Sequence, residues 1–209
     1  NPWNVDALLE IEKETGKNVY NIFQLRLHPS IIELKQRIAN GPKDKIYEID
    51  LTYITSRGNW YQTSWKGDVQ KSGGIATNIG VHFYDMLGWV FGDLKENIVH
   101  LHNKTSAAGY LRFEKANVKW FLSIDYLTIP EKIRAEGKRT FRSLSMEGEE
   151  IEFSDGFTDL HTKSYQHILD GNGFRLIEAK KSIEIVHGIR HAEIMPLENN
   201  YHPFLTNRK

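Results

Sequence analysis

Three strand-like segments follow one another between Ile98 and Tyr126: Ile98 to His102, Ala107 to Glu114 and Val118 to Tyr126. Lys115-Ala116-Asn117 reads as the hairpin turn between the last two. Short connections of this kind make antiparallel neighbours. Lys45 to Thr55 (KIYEIDLTYIT) alternates as a strand with one wet face. A further hairpin, Arg139 to Met146 and Glu150 to Phe153, turns through Glu147-Gly148. Helical patterns cover Pro29 to Ala39, Ile75 to Phe91, Asp159 to Leu169 and Ile177 to Ile194. Pro130 to Lys138 reads as a connection, and the tail from Pro196 as extended. The fold class is therefore α+β, an open, mostly antiparallel sheet packed by helices on one face. Its other face is expected to be an apolar patch that a second copy covers, giving a homo-dimer or tetramer.

The first 27 residues follow a different pattern. Asn4 suits the N-cap of a helix over Val5 to Thr15, and Gly16 stops it. Asn18 to Leu25 then reads as a buried strand. A helix followed by such a strand is the closing unit of a parallel sheet, whose other strands the chain does not supply. Residues 1–27 are thus expected to be the remnant of an α/β domain, with 28–209 a substrate-binding and oligomerisation domain.

Lys and Arg (27) balance Asp and Glu (27), so no basic footprint for nucleic acid or a membrane surface exists. The chain has no cysteine, which excludes disulfides and thiolate metal sites and fits a reducing cytoplasm. No apolar run approaches the roughly 20 residues of a membrane span. A metal site built from His82, His28 and His100 matches no ligand spacing.

The chemistry concentrates between Arg57 and Trp89. A loop carrying Arg57, Asn59, Trp60, Tyr61, Trp65 and Lys66 runs into Gly73-Gly74, and a helix opens behind it. On that helix Asn78, His82 and Asp85 are spaced to share one face. Apart from a small-molecule site, the plainer readings are a structural histidine and an ordinary glycine turn.

GGIATNIGVHFYDM resembles the signature Gly-Gly, spacer, Asp-x-Gly-x-His-x-x-Asp of the glucose–fructose oxidoreductase / inositol dehydrogenase family. The resemblance extends to QLRLHP, TDLHTKSYQHILDGNGF and KKSIEIVHGIRHAEI. More narrowly, NPWNVDALLEIEKETGKNV, TSRGNWY and SWKGDVQKSGGIATNIGVHFYDML resemble UDP-N-acetyl-2-amino-2-deoxyglucuronate dehydrogenases. Those enzymes oxidise a sugar C3 hydroxyl in making bacterial surface polysaccharide such as lipopolysaccharide O-antigen. The resemblance implies NAD, with NADP open, held on an N-terminal Rossmann domain. Neither the family's Gly-x-Gly-x-x-Gly nor its catalytic Glu-Lys-Pro occurs here, so the remnant at 1–27 is expected to belong to that domain and this chain to be inactive alone.

By the same resemblance His82 is the base for the hydroxyl proton, or part of a relay with the family's catalytic Lys. Asn78 replaces the usual Asp; an amide relays no proton, so it hydrogen-bonds a sugar hydroxyl or the histidine. Asp85 orients His82, binds a hydroxyl, or serves as a surface or capping residue. Arg57 clamps a carboxylate or diphosphate through its two-pronged fork, with Lys66 serving the same charge and Asn59 beside them. Trp60, Tyr61 and Trp65 stack on uracil or the sugar, or belong to the core. Gln24, Arg26 and His28 lie where a nicotinamide would sit. The rival readings are a non-catalytic binding or assembly module, and a dehydrogenase of inositol or another free sugar.

Overall fold

In the computed structural model, residues 1–152 and 159–206 are described. The elements in order are α1 (Pro2–Thr15), β1 (Tyr20–Asn21), a 3-10 turn (Gln24–Leu27), α2 (Pro29–Asn40), β2 (Tyr47–Thr55), α3 (Asn59–Thr63) and α4 (Val69–Ser72). A π-turn (Ala76–Gly80) then leads into α5 (Val81–Phe91), β3 (Leu94–His102), β4 (Ser106–Phe113), β5 (Ala116–Ser123) and α6 (Glu131–Ala135). After β6 (Thr140–Met146) and β7 (Glu149–Glu150) come α7 (Leu160–Leu169), β8 (Phe174–Arg175), α8 (Leu176–His191) and a 3-10 turn at Pro203–Leu205.

The main sheet runs β3-β4-β5-β2-β6-β7 and is open. Every pairing in it is antiparallel except β2 with β5. The α+β architecture read from the sequence holds. α2, α5 and α8 cover one face, where Ile49, Leu51, Val118, Trp120 and Leu144 meet Leu34, Tyr84, Met86 and Ile189 in one core.

Local chemistry sets the boundaries. Pro2 at the first turn starts α1 earlier than Asn4, and Gly16, at φ 65°, ends it. His28 caps α2 by accepting the Ser30 N–H at 3.2 Å. The β4–β5 turn sits one residue earlier than expected, because Ala116 already pairs with β2. Glu147 and Gly148, both at positive φ, turn the β6–β7 hairpin as their sequence implies. Phe153, the expected end of that hairpin, lies outside the described residues.

Four expectations need correction. The strand over Asn18 to Leu25 shrinks to Tyr20–Asn21, pairs antiparallel with β8, and gives way to the 3-10 turn. The segment Pro130 to Lys138 holds α6. The open sheet face is polar: Tyr110 Oη donates to Asn117, and Asn117 Nδ2 donates to Glu48 at 2.6 Å. Only one end is apolar, where Ile54, Ala108, Phe121 and Ile129 cluster. The tail covers it, since Phe204 and Leu205 pack there instead of running extended.

Candidate functional site

β2 delivers the chain to the loop, and the Arg57 N–H donates to Ile124 O at 3.1 Å, which ties the loop's root to the strand beside it. Asp68 caps α4 by accepting the Gln70 N–H at 2.9 Å. The loop is then stitched to the helix behind it. Ser72 Oγ donates to Lys66 O at 2.9 Å, and Gly74 N–H donates to Ser72 Oγ at 3.0 Å. Asn78 Nδ2 reaches both Lys66 O at 3.3 Å and Tyr61 Oη at 3.4 Å. Tyr61 is buried, and its hydroxyl and ring hold the loop; burial raises its pKa. Asn78 therefore positions the loop in this state. Trp60 and Trp65 stand 54% and 59% exposed, and Arg57, Asn59 and Lys66 are exposed with them. Among the described residues Arg57 has no side-chain hydrogen bond or ion pair, so its fork is open to a ligand.

The expected single face of Asn78, His82 and Asp85 does not form. A π-turn adds a residue to the helical turn between Asn78 and His82 and breaks the i, i+4 register. Gly80 belongs to that turn, and the Tyr84 ring presses on it so closely that a Cβ would lie 2.5 Å away. His82 occupies the first turn of α5 and is exposed at its outer side. Its pKa is lowered, first by desolvation and then by His161 on α7. A neutral imidazole at neutral pH is the form that accepts a proton.

Asp85, three residues further along α5, is buried. It is 5% exposed and takes a two-pronged grip from Arg26, Nε at 2.9 Å and Nη2 at 2.7 Å. Arg26 Nη1 continues to Glu178 on α8 at 2.5 Å, and the guanidinium lies over the rings of Phe23 (4.2 Å) and Phe174 (5.0 Å). Burial pushes the Asp85 pKa up, while Arg26 favours its charged form. Asp85 and Arg26, expected at the substrate and the cofactor, are thus spent on each other. Buried charges persist only when paired this way. The pair ties α5, the 3-10 turn and α8 together.

The most similar proteins agree with this architecture. Residues 35–132 match the family described as "Oxidoreductase family, C-terminal alpha/beta domain". The crystal structure of the WlbA (WbpB) dehydrogenase from Thermus thermophilus in complex with NAD and alpha-ketoglutarate is 48% identical, covers 97% of this chain and superposes with a TM-score of 0.92. Residues 35–132 thus form a C-terminal alpha/beta domain of the kind this oxidoreductase family has. A second Thermus structure, in complex with NAD and UDP-GlcNAcA, is 47% identical over 98% of the chain, TM-score 0.92. WlbA from Bordetella pertussis, at 17% identity, shares the fold over 90% of the chain, TM-score 0.71. The chain spans 65% and 66% of the length of the two Thermus proteins.

Of the three residues expected at a nicotinamide, two are engaged within the fold. His28 is buried and caps α2, and Arg26 is committed to its ion pairs. Gln24, half-buried at the start of the 3-10 turn, is the remaining candidate there. Sequence reasoning missed two participants. Glu178 completes the Arg26 cluster from 152 residues away, and His161 influences His82 from α7. No local spacing signals either; both arrive through tertiary packing of α7 and α8.

Proposed function

We propose that this chain is the substrate-binding part of an NAD-dependent sugar-nucleotide dehydrogenase that oxidises the C3 hydroxyl of a UDP-N-acetylglucosaminuronate-like substrate. The observation that carries the reading is His82, neutral at neutral pH, in the first turn of α5 behind a loop that exposes Arg57, Trp60, Trp65 and Lys66. The complexes of the Thermus relatives with NAD and with UDP-GlcNAcA support it. In this reading His82 takes the hydroxyl proton as the carbonyl forms at C3. The departing hydride needs an acceptor, which is the chemistry NAD supplies when bound. Gln24 borders the nicotinamide, and the grip on the rest of the dinucleotide belongs to the part of the longer relatives that this chain does not cover. Arg57 and Lys66 take the substrate's negative charge, with Asn59 beside them, and the exposed indoles offer faces for uracil or sugar. Asn78 holds the loop from which these groups project. The same reading includes assembly into dimers or tetramers through the polar sheet face, and a role in surface polysaccharide synthesis in the cytoplasm.

Calorimetry with UDP-N-acetylglucosaminuronate tests it. Binding is expected, with Arg57→Ala weakening it roughly 10-fold or more, as loss of a charge-assisted bond does. His82→Ala should leave binding within a few-fold while lowering turnover of the enzyme assembled with its cofactor part by roughly 10²–10⁴-fold. A wild-type enzyme, so assembled, that binds no UDP-sugar overturns the reading.

A further inference from the structure

Two guanidinium groups among the described residues have no hydrogen-bond, ion-pair or ring partner: Arg57 on the exposed loop, and Arg190 in the last turn of α8. Each of the others, Arg26, Arg37, Arg112, Arg134, Arg139, Arg142 and Arg175, meets a carboxylate, hydroxyl, carbonyl or aromatic ring. Arg190 is half-buried, where leaving a cation uncompensated is costly. It does not cap its own helix either, since none of the terminal carbonyls of α8 receives its N–H groups.

Its surroundings explain what would fill the gap. α8 packs against the π-turn and β3, which brings Arg190 over the buried Gly73-Gly74 turn. Both glycines have positive φ, 77° and 73°. A Cβ on Gly73 would stand 3.2 Å from Arg190 Nη1 and would collide with Thr77 Oγ1. One on Gly74 would stand 3.9 Å from His102 Nε2. The guanidinium and the imidazole therefore converge on one two-glycine turn. His102 is half-buried and also lacks a hydrogen-bond partner among the described residues. Desolvation and the Arg190 charge hold its pKa below the usual value. The cluster joins a guanidinium that has no acceptor to an imidazole that has no hydrogen-bond partner among the described residues.

We propose that Arg190 and His102, converging on the Gly73-Gly74 turn, form a binding site for a phosphate-type oxyanion. The guanidinium supplies two parallel donors and the imidazole Nε2–H a third. A side chain on Gly73 would crowd Thr77 and Arg190, and one on Gly74 would approach His102. The site stands whether or not the sugar-nucleotide reading does, because it concerns an oxyanion and makes no use of His82 or Arg57.

The test is an NMR titration of this chain with pyrophosphate, following the His102 imidazole signals, which are assigned by their loss in His102→Gln. Pyrophosphate is expected to shift those signals and raise the His102 pKa. Arg190→Gln should weaken binding roughly 10-fold or more, and Arg190→Lys less. Parallel titrations separate the source of the anion. UDP acting at lower concentration than pyrophosphate assigns the site to a nucleotide diphosphate, and the reverse order assigns it to a free oxyanion. His102 signals that stay in place at saturating pyrophosphate, or undiminished binding by a folded Arg190→Gln protein, overturn the proposal. The wild-type titration needs no variant, so a misfolded Arg190→Gln protein does not blunt it.

Discussion

The chemistry of His82 depends on where its protonation midpoint lies. Desolvation by the surrounding protein lowers its pKa, His161 adds to the effect, and the neutral ring survives below the ordinary 6.5. A base must be neutral to work, so oxidation by the assembled enzyme should fall as pH drops through a midpoint lower than 6.5. His161→Asn removes the smaller of the two causes. The acid limb of kcat/KM should then move up, though not all the way to the ordinary histidine value, because desolvation remains. An unmoved limb would mean that His161 does not influence the base. The sequence singled out His82 because its neighbours match a recognisable signature. It was silent on His161 because that residue's effect comes from the packing of α7, 79 positions along the chain. Asp85 shows the opposite limit: its spacing was read correctly, but spacing along a helix does not say that Arg26 packs against it from the 3-10 turn.

Among the elements, the helix bearing His82 is held at both ends by features that tolerate little change. At its N-terminal approach, Gly73 adopts φ 77° and has Thr77 pressed against it. Gly73→Ala should cost about 1–2 kcal/mol from the left-handed backbone alone, with the crowding of Thr77 added. Urea unfolding measures it directly, and a loss below that range would mean the turn relaxes freely. Further along, Asp85 and Arg26 fasten the helix to the 3-10 turn and, through Glu178, to α8. Removing one partner leaves a buried charge uncompensated, so Asp85→Ala should destabilise by about 3 kcal/mol or more. Replacing the pair together should cost less than the sum of the two single changes. A strictly additive double variant would show that the two side chains do not act as a unit. Strand and helix identities were legible because their hydrophobic periods are strong. The short β1 was not: NVYNIFQL is apolar enough for a strand, yet only Tyr20 and Asn21 pair, with β8.

At the level of the whole molecule, the C-terminal tail straps one end of the open sheet face, and a histidine fastens it. His202 is 2% exposed; its Nδ1 accepts the Phe204 N–H at 3.2 Å, and its Nε2 meets Thr52 Oγ1 at 3.0 Å. Since Nδ1 is an acceptor, Nε2 carries the proton and donates to the threonine. A second proton would have to displace the backbone N–H, next to Phe121 and Phe204 and in the field of Lys119. Desolvation, with Lys119 adding to it, lowers the pKa from 6.5 to about 4. The unfolded chain binds this proton at higher pH than the folded one does, so the contribution is complete above pH 6.5 and disappears as pH falls toward about 4. The full loss is about 3 kcal/mol. Denaturant unfolding of wild type and His202→Gln across that window checks it. The variant keeps a hydrogen-bonding side chain without the titration, so its stability should fall less steeply on acidification. If both proteins lose stability in parallel, protonation of His202 is not what releases the strap. Nothing in the local sequence signals this coupling, because it joins Thr52 to His202 across 150 positions and depends on the tail folding back over a face that the strand pattern alone leaves bare.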